Sequence, residues 1–333
     1  MMKPLLAITM GDPAGIGPEV LVKALASGAV QDQARVFVIG SEAALQVAME
    51  EAGCGFEVHV VGEVESVTDQ PGVHLLNPFG SISGLVRGEP SALGGAASVS
   101  YFERAVTDAM EGKIDGIVTC PINKVAVQMA GFHNDIGHQE ILARLTNASL
   151  TATLLMTPGL KVAHLSTHLS LFDAVAYVRR PILIDKLTLT HEHLQRWGCI
   201  NPVIAVAALN PHGGEAGMLG REEIEEIGPA IETLQSRGLD VRGPFPADSV
   251  FNRAIDGEFD AVLALFHDQG HIPIKVHNFS GSVTATLGIP FVRTSVDHGT
   301  AFDIVGKSRA EHEGLEQAIR AATLMLRGQL QDF

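Results

Sequence analysis

Three apolar runs of strand length are each followed by a polar turn that carries a histidine. The runs are residues 160–165, 203–209 and 261–266, and the histidines are His168, His212 and His267. A parallel sheet brings the carboxyl ends of its strands to one edge. In proteins with open α/β sheets, substrates and cofactors bind at this edge. Imidazole nitrogens suit zinc and other divalent transition metals, and three protein ligands leave positions open for substrate oxygens. The pattern favours a catalytic metal site over three separate structural histidines, and its spacings differ from those of zinc fingers.

The segments around these runs predict an α/β fold with mainly parallel strands. Apolar runs at residues 5–10, 36–40, 57–61, 73–77 and 116–120 alternate with segments of helical periodicity. Gly, Ala, Val, Leu and Ile are abundant while aromatic residues make up only 5% of the chain, which is typical of buried parallel strands and their covering helices. At 333 residues the chain is long enough for two domains, which we expect to share a cleft.

Three local patterns lead to further predictions. Residues 181–197 predict a helix on which His191 and His193 point in different directions, so both are interpreted as surface residues. Residues 243–248 contain two prolines and predict a stiff loop. Lys124 follows the run 116–120 and is a candidate active-site cation, with a solvated surface lysine as the alternative.

Charge and composition exclude several classes of partner. The chain has 38 acidic and 23 basic residues, a formal net charge of −15 that repels nucleic acid and anionic membrane surfaces. No apolar run approaches the length of a membrane span, and the start of the chain lacks a signal-peptide pattern. Cys54, Cys120 and Cys199 have no paired spacing, as expected of reduced thiols. These features predict a cytoplasmic protein that binds neither nucleic acid nor membranes.

Motifs spread over the whole chain resemble one enzyme family, the 4-hydroxythreonine-4-phosphate dehydrogenases of pyridoxal phosphate (pyridoxine) biosynthesis. The matching motifs are residues 11–19, 120–124, 137–138, 167–169, 209–215, 246–248, 266–270 and 293–301. Two segments, Gly15 to Glu19 and His298 to Lys307, also resemble the isocitrate and isopropylmalate dehydrogenases, whose matching C-terminal loop holds NAD or NADP. The turn at 11–19 alone, without the dinucleotide fingerprint, would be equally consistent with an ordinary strand-to-helix connection.

The resemblance implies an architecture and a set of cofactors. It implies two α/β/α domains with a cleft between them: residues 1–120 with 283–333 on the cofactor side, and residues 121–282 for metal, substrate and dimerisation. It also implies NAD or NADP and one divalent ion per site, either zinc or magnesium, cobalt or manganese. His267 would reach the metal across a homodimer interface, so that the active site would exist only in the dimer.

The resemblance also assigns roles to individual residues. The implied metal ligands are His168, His212 and His267. The implied substrate-binding residues are His138, Gln139, Lys275, Thr284 and Arg293. The implied cofactor-binding residues are Gly11, Asp12, Gly15, His298, Gly299, Thr300 and Asp303. Lys124 or Asp248 is the candidate for catalytic proton transfer.

Two positions depart from the family pattern. Gln139 stands where the biosynthetic enzymes have Thr, and Thr284 stands where they have Asn. Relatives of the family act on 4-phospho-D-threonate or 4-phospho-D-erythronate, or on aromatic cis-dihydrodiols such as that of terephthalate. Lys275 and Arg293 favour a small phosphorylated or carboxylated substrate. The resemblance thus implies a metal-dependent NAD(P) dehydrogenase that oxidises and decarboxylates a 4-phosphorylated hydroxy acid.

Three alternatives remain open from the sequence. The first is a cis-dihydrodiol dehydrogenase of aromatic acid catabolism. The second is an enzyme like the phosphate acyltransferases, which share this type of two-domain sheet. The third is a non-catalytic protein that binds a metal or a metabolite.

Overall fold

The computed structural model describes residues 3–135 and 137–333 and has a mixed α/β fold. The strands are β1 (Leu5–Thr9), β2 (Arg35–Ile39), β3 (Val58–Val61), β4 (Val73–Leu76), β5 (Gly116–Thr119), β6 (Ala152–Thr157), β7 (Leu160–His164), β8 (Ile204–Ala207), β9 (Val241–Phe245), β10 (Ala261–Ala264), β11 (Val283–Leu287) and β12 (Val292–Val296). The helices are α1 (Gly17–Ala26), α2 (Glu42–Ala52), α3 (Ala92–Met110), α4 (Lys124–Met129), α5 (His138–Thr146), α6 (Leu171–Tyr177), α7 (Arg180–Arg196), α8 (Gly228–Ser236), α9 (Ala247–Ile255), α10 (His267–His277) and α11 (Glu313–Arg327). Within the described residues, none of these helices has the length and apolar character that crossing a bilayer requires.

The chain forms two compact units. Unit 1 comprises Met1–Ser149 and Ile289–Leu326, and unit 2 comprises Leu150–Gly288 and Arg327–Phe333. In unit 1 the strands run in the order β3, β4, β2, β1, β5, β12, and every neighbouring pair is parallel. Leu6, Ile8 and Ile117 in the middle of this order have no exposed surface, as expected when helices cover both faces of a parallel sheet.

Unit 2 has a mixed strand arrangement. Its order is β11, β6, β7, β10, β8, β9, with β6 antiparallel to both of its neighbours and the remaining pairs parallel. β6 and β7 form a hairpin through the turn at residues 157–159. Val162, Ala205 and Val262 on three neighbouring strands pack with Ile274 of α10 in the core. The prediction of an α/β fold with mainly parallel strands is confirmed.

Two local predictions are wrong. Residues 241–245 form strand β9 where the two prolines indicated a loop from residue 243, and β9 lies at the end of the strand order, where proline is tolerated because one side needs no hydrogen-bond donors. His193 is only 4% exposed rather than on the surface. Its Nε2 accepts a hydrogen bond from the Gly288 amide at 3.1 Å, and its Nδ1 donates to the Leu189 carbonyl at 3.0 Å.

The boundaries of the two units differ from the predicted domain boundaries. Residues 121–149 belong to unit 1, because α4 and α5 pack against α3. β11 belongs to unit 2, because it pairs with β6. The last residues, 327–333, also belong to unit 2, where the Leu330 amide donates to the Trp197 carbonyl at 2.9 Å. The assignment of a cofactor side and a metal side remains a prediction.

The packing of α4 on α3 can be tested at Gly95. A Cβ at Gly95 would lie 2.0 Å from the Ala126 carbonyl oxygen, so Gly95→Ala should lower the free energy of unfolding by roughly 1–3 kcal/mol despite the better helix propensity of alanine. Urea unfolding measures the change. Gly62→Ala is the control, since a Cβ there meets nothing within 4 Å. Equal stability of Gly95→Ala and the unmodified chain would contradict this packing.

Candidate functional site

The three predicted metal ligands follow three neighbouring strands of unit 2. His168 follows β7, His267 follows β10 and His212 follows β8, and the strand order β7, β10, β8 is parallel throughout. Because parallel strands end at the same edge, the three loops lie side by side with the His267 loop in the middle. The structure therefore places the three histidines on one edge of unit 2, as the sequence predicted.

Hydrogen bonds tie these strand exits together beyond the end of the sheet ladder. The Ser166 hydroxyl donates to the Leu265 carbonyl at 2.9 Å, which joins the exits of β7 and β10. The Gln269 side chain accepts from the Leu265 amide at 2.7 Å and donates to the Ala208 carbonyl at 2.8 Å, which joins the exits of β10 and β8. Gln269 lies two residues after His267, but no spacing or motif in the sequence indicated this role.

His212 lies in a left-handed turn. Residues 212–216 all have positive φ, with 53° at His212, 48° at Glu215 and 55° at Ala216. A left-handed conformation costs an L-residue with a Cβ roughly 1–2 kcal/mol, so the surrounding contacts must hold the turn. The His212 side chain is 70% exposed, and its Nδ1 lies 2.8 Å from Glu215 Oε1.

His267 is the first residue of α10 and has a similar carboxylate neighbour. Its Nδ1 lies 2.7 Å from Asp268 Oδ1, and its ring stacks on that of His271 at 3.7 Å with an angle of 11°. A carboxylate on Nδ1 fixes the tautomer that presents Nε2 as the ligating atom, an arrangement common around protein-bound metals. The donor chemistry of His212 and His267 therefore fits a divalent ion.

The three imidazoles do not converge within one chain. His168 is exposed, and in the described part of the chain no group of three or more His, Cys, Asp or Glu side chains is placed to hold a metal ion. The resemblance implies that His267 serves the site of a second subunit. The metal site therefore remains a prediction, supported by the placement of the loops and by the carboxylate neighbours.

A buried histidine that no sequence pattern indicated lies behind this edge. His164, the last residue of β7, is 1% exposed, and neither ring nitrogen makes a hydrogen bond of ordinary geometry to the residues that the structure describes. Burial, together with the nearby His271 and His267, lowers its pKa to about 3, so the ring is neutral. Gly270 leaves room for it, since a Cβ there would lie 2.3 Å from His164 Nε2.

In unit 1 the two predicted cofactor segments lie against each other. The Ile16 amide donates to the Thr300 carbonyl at 3.0 Å, and a Cβ at Gly15 would lie 2.9 Å from Thr300 Cβ. Gly11 has a φ of +72°, and a Cβ there would lie 2.2 Å from the Pro121 carbonyl oxygen. Gly299, in contrast, has open space where a Cβ would stand, so a ligand can approach the backbone closely. These features fit a dinucleotide.

The predicted cofactor residues with polar side chains differ in exposure. Asp12 is fully buried, and its Oδ1 accepts a hydrogen bond from the Ala14 amide at 2.9 Å, so its carboxyl group braces the turn after β1. Burial raises the pKa of Asp12 to about 6. His298 and Asp303 are exposed, and His298 Nδ1 lies 3.1 Å from the Gly299 carbonyl.

A cleft of about 620 Å³ in unit 1 adjoins this turn. Its lining includes Pro13, Ser41 before α2, and Asn77. Arg87 also lines it and is held by Glu51 through two hydrogen bonds of 2.6 and 2.7 Å.

Unit 1 also contains a buried cation. Arg293 on β12 is 3% exposed, and its Nη2 donates to Thr119 Oγ1 at 2.6 Å. Burial lowers the pKa of its guanidinium group to about 9. His138, the first residue of α5, makes an edge-to-face contact with Phe102, with the two ring centroids 4.5 Å apart. Burial, together with the charge of Arg293, holds the pKa of His138 well below its usual value. Gln139 follows on α5, and Lys124 is exposed at the start of α4.

The other predicted substrate residues belong to unit 2. Lys275 on α10 donates to Ser282 Oγ at 2.9 Å and lies 4.8 Å from the centre of the Phe279 ring. Thr284 is partly buried on β11 opposite Leu155 of β6. Asp248 is exposed in the first turn of α9. Each unit thus carries part of the predicted substrate-binding and catalytic set.

Comparison with known proteins gives consistent matches over nearly the whole chain. The model of the family described as pyridoxal phosphate biosynthetic protein PdxA matches residues 32–322. The chain is 44% identical over 319 residues to a D-threonate 4-phosphate dehydrogenase of Cupriavidus necator, which covers 95% of this chain and 96% of the relative. It is 40% identical to a 4-hydroxythreonine-4-phosphate dehydrogenase of Desulforapulum autotrophicum, which covers 97% and 95%. A crystal structure of the 4-hydroxythreonine-4-phosphate dehydrogenase from Klebsiella pneumoniae has a TM-score of 0.90 and 38% identity, with 98% of each chain covered.

The raised pKa of Asp12 predicts a change in the pH dependence of stability. Its pKa is about 6 in the folded chain and near 3.8 in the unfolded chain, so the folded state binds more protons between these values. This group therefore lowers the free energy of unfolding as the pH rises from about 4 to about 6, by up to about 3 kcal/mol. Asp12→Asn keeps an acceptor for Ala14 and removes the titration. The slope of unfolding free energy against pH should then be more positive in this window.

Urea unfolding at several pH values between about 4 and 7 measures this slope. Asp303→Asn, at an exposed carboxylate, is the matched control and should keep the slope of the unmodified chain. An unchanged slope in Asp12→Asn would show that the buried carboxyl group does not titrate in this range.

Proposed function

This chain belongs to the PdxA family of pyridoxal phosphate biosynthetic proteins, and we propose that it is a metal-dependent NAD(P) dehydrogenase. Its proposed substrate is a small 4-phosphorylated hydroxy acid of the D-threonate 4-phosphate type. The observation that carries the proposal is the placement of His168, His267 and His212 in neighbouring loops at one edge of unit 2. The relatives named as dehydrogenases support the reaction class.

The proposed substrate is anionic because cations are available in both units. Arg293 is buried, and a buried guanidinium attracts a phosphate or carboxylate strongly because solvent screens the charge poorly. Lys275 is partly buried, and Ser282 and the Phe279 ring hold its ammonium group in place. The net charge of −15 makes such local cations necessary for binding an anion.

His168 and His212, together with the partner subunit's His267, would hold one divalent ion, either zinc or magnesium, cobalt or manganese. A bound divalent ion lowers the pKa of a coordinated hydroxyl group and so eases the loss of its proton. Glu215 and Asp268 hold Nδ1 of His212 and His267, which orients each ring before any ligand arrives. Gln269 keeps the two loops at a set separation.

The remaining roles belong to the cofactor and to one proton acceptor. The turn at Gly15 and the loop at Thr300, which contact each other in unit 1, would hold NAD or NADP, and the bound nicotinamide would serve as the hydride acceptor. Lys124 or Asp248 takes the proton from the substrate hydroxyl group. Oxidation of a hydroxyl β to a carboxylate yields a β-keto acid, which loses carbon dioxide readily.

We further propose that the active form is a homodimer in the cytoplasm. Ile272, Val276 and Phe279 follow His267 and are 59%, 82% and 73% exposed, an apolar surface that a second copy of the chain would cover. A subunit interface next to His267 would let that histidine complete the site of the partner subunit. The three cysteines are free thiols, which is consistent with a reducing compartment.

Loss of one ligand should abolish metal binding and turnover without unfolding the protein. His212→Ala removes an exposed side chain at a strand exit, so the free energy of unfolding of the metal-free protein should change little. Metal content after dialysis, activity with and without a chelator, and urea unfolding of the metal-free protein measure these effects. His191→Ala, on α7, is the matched control. Full activity of His212→Ala, or full activity of the unmodified enzyme in chelator, would contradict the proposal.

The choice of substrate can be tested by direct comparison. Gln139 and Thr284 replace the Thr and Asn of the biosynthetic family. With 4-hydroxythreonine 4-phosphate bound, a buried hydrogen-bonding group would therefore be left unpaired. An unpaired group of this kind reduces kcat/KM for that substrate by up to roughly 10⁴-fold in the strongest cases. We expect a higher kcat/KM for D-threonate 4-phosphate than for 4-hydroxythreonine 4-phosphate. The double substitution Gln139→Thr with Thr284→Asn should shift the ratio toward the latter. A clear preference of the unmodified enzyme for 4-hydroxythreonine 4-phosphate would favour the second candidate, a biosynthetic enzyme like the Klebsiella and Desulforapulum relatives.

A further inference from the structure

A buried carboxylate forms hydrogen bonds with the backbone just before the left-handed turn that carries His212. Glu223 is 5% exposed, and its Oε1 accepts hydrogen bonds from the backbone amides of Leu209 at 2.8 Å and Asn210 at 2.7 Å. Its Oε2 accepts from Asn210 Nδ2 at 2.9 Å. The carboxylate thus binds the last residues before Pro211 and His212, where the chain leaves β8.

Glu223 also contacts the far side of the same turn. A Cβ at Gly214 would lie 2.8 Å from Glu223 Oε2, so glycine lets the turn close over the carboxylate. Gly213 has a similar positive φ, 70° against 83°, but a Cβ there would meet nothing within 4 Å. The turn is therefore in contact with Glu223 both at its entry and at Gly214.

The local helix geometry brings Glu223 to this position. Residues 223–227 form a π-helical turn that leads into α8, and such turns widen a helix locally and are frequent at functional sites. Glu222 next to it also reaches Asn210 Nδ2, at 2.7 Å, but it accepts no backbone amide of the exit from β8 and instead accepts the Arg221 amide at 3.0 Å. Only the Glu223 carboxylate of this pair bonds the backbone that precedes His212.

We propose that Glu223 is a positioning residue that holds the His212 turn in its left-handed form and so sets the imidazole in place for the metal. The link to the metal rests on the proposed function, whereas the hold on the turn does not. A carboxylate is suited to this role because both oxygens accept hydrogen bonds, so it can receive the three donors at once. A glutamine of the same size has one oxygen and one NH₂ group, which would face the amide donors of the turn.

Glu223→Gln and Glu222→Gln form the first matched pair. In metal-free protein, amide hydrogen exchange of segment 208–219 should become faster in Glu223→Gln and stay unchanged in Glu222→Gln. The dissociation constant for cobalt(II), measured by chelator competition and by its visible absorption, should rise about 10–100-fold in Glu223→Gln, as for other partners of metal ligands. It should change less than about threefold in Glu222→Gln, because the contact that Glu222 makes is to a side chain that Glu223 also holds.

Gly214→Ala and Gly213→Ala form a second pair, which decides the matter if Glu223→Gln does not fold. Both substitutions place alanine at a positive φ, but only the Cβ of Gly214→Ala collides with the carboxylate. Exchange in segment 208–219 should be faster in Gly214→Ala than in Gly213→Ala, and cobalt(II) binding should be weaker.

The outcomes separate this inference from the proposed function. If the two variants within each pair show the same amide hydrogen exchange in segment 208–219, Glu223 does not hold the turn and the inference is overturned. If the pairs differ in exchange while the unmodified chain and His212→Ala bind cobalt(II) equally poorly, Glu223 holds the turn but the metal assignment fails. If His212→Ala loses cobalt(II) and Glu223→Gln retains the affinity of the unmodified chain, Glu223 does not position His212 for the metal.

Discussion

The parallel pairing of β7, β10 and β8 is the constraint on which the candidate site depends. Backbone hydrogen bonds hold neighbouring strands about 4.8 Å apart, so the three strand exits have a fixed lateral spacing before any side chain is considered. Ser166 and Gln269 extend this order past the ends of the strands, because their hydrogen bonds join one exit to the next. The loops that carry His168, His267 and His212 can therefore differ in conformation while their starting points stay in place.

A strained turn and a buried histidine lie near these exits. The turn at residues 212–216 adopts a conformation that isolated residues avoid, and the contacts of Glu223 offset that cost locally. His164 lies beneath the same edge as a neutral, buried ring, with Gly270 making room for it. A site held by packed and hydrogen-bonded neighbours loses little entropy when a ligand binds, which is the physical benefit of preorganisation.

Unit 1 carries a buried cation and closely packed backbone turns among the residues predicted to bind substrate and cofactor. Arg293 is desolvated, and the turn at Asp12 is braced by a carboxyl group that does not face solvent. Perturbed pKa values of this kind cluster at functional sites because the same burial that costs stability strengthens electrostatic interactions with a ligand. The glycines at 11 and 15 serve close packing between loops, whereas Gly299 leaves its backbone accessible.

The sequence by itself determined the class of fold, the runs that become strands and the histidines that follow them, because hydrophobic periodicity and chain order are local properties. The resemblance to a dehydrogenase family also follows from the sequence, since short motifs carry it. Only the tertiary structure decided that β10 lies between β7 and β8, that residues 241–245 form an edge strand and that His193 is buried. Each of these depends on a partner distant in sequence, which no local pattern specifies. The same holds for Glu223, whose sequence neighbours give no sign that its carboxylate binds the exit of another element.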